Sequence, residues 1–183
     1  MLDLAPIWTP PVQQRNYRAL LEAMARPGTR QLLQTQDEQH SSLAVLATLL
    51  DGEVSLADPW QRLSDQDWRL LQAVKEDAAK ADFVLCDGSQ VPDWTPKLGT
   101  LPSPERSATL VIPVASLQGG ELALRLQGPG IETSCEIAIE GLHADWIDLR
   151  AQWTCAFPLG VDLILVDRQG ALALPRTCKV EVR

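Results

Sequence analysis

Phe157-Pro158-Leu159-Gly160-Val161-Asp162-Leu163-Ile164-Leu165 joins a Phe-Pro-x-Gly turn to an aliphatic run with one acid at its start. Apart from that acid the run has no polar position, so it suits a strand buried on both faces. Asp167-Arg168-Gln169-Gly170 then turns the chain into a second strand over residues 171–174, and Pro175 closes it. A buried carboxylate must be paired or hydrogen-bonded. For Asp162 the candidate partners are Arg176 and Arg125, and an internal salt bridge, or a backbone-bonded acid that holds the Phe157 turn, is preferred to a substrate contact.

Outward from this hairpin the chain alternates helical and strand patterns. Leu142, Trp146, Leu149 and Trp153 form one helical stripe. Before it, Cys135, Ile137 and Ile139 alternate with polar or small residues, as in a half-exposed strand. Residues 109–114 and 121–127 are expected to be strands joined as a hairpin around Gly119-Gly120. Residues 87–108, rich in Pro and Gly, form an ordered excursion with room for a short helix. Residues 83–86 suit a buried strand.

Ser64 and Asp67 give a capping box, and Leu63 and Trp68 a hydrophobic staple, for a helix whose apolar face is Trp68, Leu71 and Val74. Lys75 to Lys80 would be its charged end. A helix after Ser41-Ser42 faces inward with Leu43, Leu46, Leu49 and Leu50, and a strand follows over residues 53–56. Near the start, Pro6, Pro10 and Pro11 keep residues 1–12 irregular. Tyr17, Leu20, Leu21 and Met24 then mark a helix stopped by Pro27-Gly28, and a short strand follows over residues 29–33. The expectation is one domain, residues 1–183, an α/β sandwich with a mixed sheet and helices on its faces.

Composition narrows the function. The chain has 183 residues, 45% of them hydrophobic, and a net charge of −8. That charge argues against nonspecific nucleic-acid binding, which needs cations facing phosphates. No apolar run approaches the ~20 residues of a bilayer span. Met1-Leu2-Asp3-Leu4 lacks the basic and apolar regions of a secretory signal, so a cytoplasmic location is expected. Cys86, Cys135, Cys155 and Cys178 are widely spaced and are taken as small core residues. Trp8, Trp60 and Trp94, on loop segments, are taken as candidates for a subunit interface.

No reactive constellation stands out. His40 and His143 are isolated, so no metal site is expected. Cys155 with His143 is the nearest approach to a nucleophile and base, against the plainer reading of a buried thiol near a surface histidine. Lys75, Lys80, Lys97 and Lys179 lack the apolar setting of a Schiff-base lysine, so no pyridoxal phosphate or other cofactor is expected. Arg26-Pro27-Gly28-Thr29-Arg30 puts two guanidiniums near a helix end, where they could grip a phosphate or simply serve that end. Gly128-Pro129-Gly130 could cradle an anion, but Pro129 removes one donor, and a tight turn is the simpler reading.

Several blocks occur in a fixed order: residues 17–28, Ala108-Thr109-Leu110-Val111-Ile112, residues 114–120, Leu126-Gln127-Gly128-Pro129-Gly130-Ile131, the Phe157 turn with its strand, and Leu174-Pro175-Arg176-Thr177. This ordered set resembles the PhnH family, the H subunits of the bacterial carbon–phosphorus lyase core complex. The resemblance runs from about residue 10 to the C-terminus. It implies a three-layer α/β/α fold related to pyridoxal-phosphate-dependent transferases but without the cofactor site. It also implies an accessory, non-catalytic subunit that forms a homodimer and docks other core subunits. The complex couples organophosphonates to ribose triphosphate from ATP and later breaks the C–P bond, with zinc, iron–sulfur and nucleotide chemistry on partner subunits. The candidate ligand or interface residues are Arg26, Pro27, Gly28, Arg30, Gly128, Gly130, Phe157, Pro158, Gly160, Asp162 and Arg176. The alternative is a cofactor-free enzyme or binding protein for a phosphate- or phosphonate-bearing ligand. A third reading is a structural protein outside phosphonate metabolism.

Overall fold

The computed structural model describes residues 6–35 and 41–183; His40 and the Met1–Leu4 segment lie outside them. Helices α1 (Pro10–Ala25), α2 (Ser41–Leu49), α3 (Asp65–Leu71) and α4 (Asp145–Trp153) accompany a short 3-10 turn at Pro6–Trp8. The first strands are β1 (Gln31–Leu32), β2 (Ser55–Ala57), β3 (Val74–Lys75) and β4 (Phe83–Leu85). Then come β5 (Leu98–Thr100), β6 (Ser103–Ser107), β7 (Thr109–Pro113) and β8 (Leu122–Gln127). The last four are β9 (Cys135–Ile139), β10 (Asp162–Val166), β11 (Gly170–Leu174) and β12 (Lys179–Val182).

The main sheet has the order β1-β11-β10-β7-β4-β2-β3. β10 pairs in parallel with β7, Asp162 opposite Thr109, and antiparallel with β11, Ile164 opposite Ala173. The sheet is therefore mixed, and the protein is α/β, as its alternating patterns require. Both faces of β10 are covered. Leu163 and Leu165 join a core cluster with Trp146 and Trp153 of α4 and with Leu124 and Leu126 of β8. Ile164 and Val166 join another with Leu20, Leu43, Leu46 and Leu71 from α1, α2 and α3. This is why the run after Asp162 contains no polar residue.

Several local expectations hold. Ser64 Oγ accepts from the Asp67 N–H and the Asp67 carboxylate accepts from the Ser64 N–H, so both halves of the capping box form. The β10–β11 hairpin forms at the Asp167 turn.

Others are corrected. Residues 10–12 are helical, not irregular: Pro10 and Pro11 occupy the first turn of α1, where no intrahelical partner awaits their missing N–H. The buried side of α1 is Val12, Asn16, Leu20 and Ala23, which leaves Tyr17 and Leu21 exposed. Asn16 is tolerated there because its amide exchanges two hydrogen bonds with the Gln34 main chain, at 2.8 and 3.0 Å. Val74 is not on α3. Gln72 takes φ 59, ends the helix, and sends Val74 and Lys75 into edge strand β3. Lys75 lies over the Trp68 ring instead of extending a helix, and residues 77–80 form a turn.

The excursion at 87–108 contains the β5–β6 hairpin where a helix was allowed for. β7 and β8 do not pair. Both edges of β7 are taken, by β10 and β4, so β8 lies in a separate sheet of order β12-β8-β9. Trp60 and Trp94 pack on each other, centroids 6.2 Å apart, and against the core. Trp8 is likewise partly buried against the helical cluster, so each of the three packs on the core with part of its surface and keeps the rest exposed. Of the cysteines, Cys86 and Cys178 are buried, Cys135 is partly buried and Cys155 is exposed.

Candidate functional site

The Phe157 turn and the Leu174–Thr177 block meet at the start of β10. Gly160 has φ +145, and a Cβ there would lie 2.9 Å from Thr154 Cγ2, so the approach to Asp162 needs glycine. Its N–H donates to Leu98 O. The Asp162 carboxylate accepts three bonds from Arg176: from the main-chain N–H at 2.7 Å, Nε at 3.3 Å and Nη2 at 2.5 Å. Arg176 Nη1 donates to Pro104 O at 2.7 Å, which ties the β5–β6 hairpin to the same centre. Both side chains are largely buried, 14% and 16% exposed. Of the two candidate partners for Asp162, Arg176 is the one used. The Phe157–Pro158 peptide is cis, and Phe157 is 69% exposed.

The two glycine motifs also meet. Gly130 has φ +81, and a Cβ there would sit 2.0 Å from Ala25 O, at the end of α1. Gly28 backs onto Cys135 and Leu126 in the three-stranded sheet. The Ile131 N–H closes onto Gly128 O at 3.1 Å, as a tight turn does. Residues 26–28 and 128–130 are therefore packed against one another.

The two arginines part company. Arg26 makes an exposed pair with Glu22, one helical turn back. Arg30 reaches Asp167 with Nε and Nη2 at 3.0 and 2.9 Å. Asp167 also accepts from the Gln169 and Gly170 N–H groups, so this pair locks the β10–β11 turn. Burial pushes the Asp167 carboxyl up, but the Arg30 and main-chain hydrogen bonds outweigh it and hold it below the usual range.

A cleft of about 540 Å³ opens beside this region, lined among others by Pro129, Phe157, Arg176 and Lys179. It brings together residues from three sequence blocks: Pro129, Phe157, and Arg176 with Thr177. It also reveals a residue that sequence reading missed, Arg150. Arg150 is 3% exposed, on the buried stripe of α4 one turn from Trp146. Its Nη2 donates to Pro175 O at 2.6 Å and Cys178 O at 2.9 Å, while Nε is buried without a partner. Burial lowers its pKa from the ordinary arginine value. The available signal was a cation at helical spacing between two tryptophans.

The remaining candidates disperse. His143 Nδ1 accepts from the Asp145 N–H at the start of α4, whereas Cys155 is exposed beyond its end, which corrects the expectation of a buried thiol. Lys80 pairs with Asp77, Lys97 with Asp82 and Lys179 with Glu181. Among the described residues no three His, Cys, Asp or Glu side chains gather around a common point. No helix among them is long and apolar enough to cross a membrane.

Comparison with known proteins agrees with the ordered blocks. Residues 7–181 match the family model described as "Bacterial phosphonate metabolism protein (PhnH)". The chain is 39% identical over 177 residues to the putative C-P lyase subunit protein HtxG of Stutzerimonas stutzeri, covering 97% of this chain and 90% of that protein. It is 34% identical over 180 residues to the alpha-D-ribose 1-methylphosphonate 5-triphosphate synthase subunit PhnH of Rhizobium meliloti (strain 1021), covering 92% of this chain and 90% of the relative. A match that spans the helices, both larger sheets and the Asp162–Arg176 centre shows that the chain belongs to the PhnH family of bacterial phosphonate metabolism proteins.

Proposed function

We propose that the protein is an accessory, non-catalytic subunit of a carbon–phosphorus lyase system, required for organophosphonate use. It acts in the cytoplasm as a homodimer that docks companion subunits, needs no cofactor of its own, and adopts a three-layer relative of the pyridoxal-phosphate transferase fold. The observation that carries this reading is the family match over residues 7–181, together with two relatives named as subunits. The chemistry of the motifs supports it. Asp162 with Arg176, Asp167 with Arg30, and Gly130 against α1 all spend their polar or steric capacity inside the fold.

A host lacking the gene is expected to fail on methylphosphonate as sole phosphorus source and to grow on phosphate. The purified chain is expected neither to cleave phosphonates nor to consume ATP, and the tagged chain to recover companion subunits. Normal growth of the deletion strain would overturn the pathway; turnover by the pure chain would overturn the non-catalytic role.

One observation favours a second reading, a binding protein for a phosphate- or phosphonate-bearing ligand: the cleft lining contains Arg150, Arg176 and Lys179. Calorimetry with methylphosphonate separates the two, since saturable binding by the isolated chain belongs only to the second.

A further inference from the structure

β12 is an outer strand of the three-stranded sheet. The Arg183 N–H donates to Ala123 O at 3.0 Å, and the register sets Val182 opposite Leu124 and Glu181 opposite Arg125. Bonded and non-bonded positions alternate along an antiparallel pair. Lys179, Glu181 and Arg183 therefore bond to β8, while the N–H and C=O groups of Cys178, Val180 and Val182 turn away from it. Cys178 displays this phase: its N–H donates to Pro175 O and its carbonyl accepts from Arg150, both at 2.9 Å. Val180 and Val182 continue it, turning two donors and two acceptors outward.

The 540 Å³ cleft runs beside this strand. Its lining includes Lys179 and Val180 of β12, Ala151 of α4, Thr154 just past that helix, and Phe157. Phe157, in the cleft lining, is 69% exposed and Val182, on the strand itself, 51% exposed, so both offer apolar surface to an incoming segment. The lining holds three cations and no carboxylate, in a chain whose net charge is −8. Arg176 is engaged by Asp162 and Arg150 by main-chain carbonyls. Lys179 with Glu181, and Arg183 just past β12 with Glu136, make only exposed pairs that an incoming carboxylate can exchange at little cost.

We propose that this edge and cleft receive an extended, acidic segment of another subunit, which adds to β12 as a fourth strand of its sheet. The inference rests on the subunit reading above and names the contact through which that role is exercised. A second copy of β12 fits poorly. The antiparallel register that uses Val180 and Val182 of both strands sets Glu181 opposite its own copy and Lys179 opposite Arg183. Like charges directly opposite each other are destabilising. The edge thus resists self-pairing and suits a strand with carboxylates opposite Lys179 and Arg183. Phe157 packs on the incoming segment as an anchor.

The test is hydrogen exchange over residues 179–183, in the free chain and in the complex co-expressed with companion C–P lyase subunits. The Val180 and Val182 amides should exchange roughly tenfold more slowly in the complex. Val182→Pro removes one outward N–H and no bond to β8, a position where edge strands accept proline. It should keep its melting temperature and recover companion subunits roughly tenfold less well, whereas Val182→Ala, which keeps the N–H, should recover them normally. Should Val182→Pro unfold, Lys179→Glu with Arg183→Glu gives the same loss of recovery without touching the main chain.

Equal exchange in both states, or normal recovery by these variants, overturns the proposal and leaves the subunit role standing. Protection by millimolar inorganic phosphate alone assigns the cleft to a small anion and overturns it. Protection that grows with concentration of the isolated chain assigns the edge to a second copy and overturns it. A wild-type chain that recovers no companion removes the subunit reading and this inference together.

Discussion

Replacing Asp162 by leucine strands Arg176. The carboxylate accepts from the Arg176 main-chain N–H, Nε and Nη2, and the pair is only 14% and 16% exposed. After the substitution one bond remains to that guanidinium, Nη1 to Pro104 O. Breaking a buried pair from one side costs about 3–5 kcal/mol. With a urea slope of roughly 2 kcal/mol per molar, the midpoint should fall by about 1.5–2.5 M. Asp162→Leu with Arg176→Met removes both charges, and a matched apolar replacement is often close to neutral. The double variant should therefore recover most of the loss, short of about 1 kcal/mol for the bond to Pro104 O. Equilibrium urea unfolding of wild type, both single variants and the double variant closes the cycle. A single-variant stability within about 0.5 kcal/mol of wild type would refute the reasoning, as would a double variant no better than the single.

Lys97→Met should move acid unfolding to higher pH. Burial pushes the Asp82 carboxyl up, but hydrogen bonds from Lys97 and Ser55 and the Lys97 charge outweigh it, and its pKa falls from 3.8 to about 2. The folded value lies below the unfolded one, so the stabilisation is complete above the unfolded pKa and is lost as pH falls through about 2. The pair is about one-third exposed, so the effect is modest; NMR titration of Asp82 checks it directly, and an unchanged Asp82 pKa in Lys97→Met would refute it. Gly130→Ala should destabilise by more than about 2 kcal/mol, because φ +81 and a Cβ 2.0 Å from Ala25 O oppose any side chain. Gly52→Ala, whose nearest neighbour would be 4.0 Å away, should stay within about 0.5 kcal/mol in the same thermal-melt series.

Local chemistry was legible without the fold. The capping box at Ser64 and Asp67, the β10–β11 turn and the burial of residues 163–166 follow from interactions within a few residues, or from a strand with no polar face. That Asp162 must be paired or hydrogen-bonded followed from the cost of an unpaired buried carboxylate. The ordered blocks carried the family. What no window of sequence contains is which strand edges are already occupied. β8 leaves β7 because β10 and β4 hold both sides of it, and this creates the separate sheet whose outer edge is β12. Nor does periodicity reveal that Arg150 reaches the Pro175 and Cys178 carbonyls, or that Arg30 crosses to Asp167 while Arg26 stays on its own helix. A side chain's periodicity states which face it occupies. Its partner is decided by what the rest of the chain brings to that face, and that is settled only when helices and sheets close on one another.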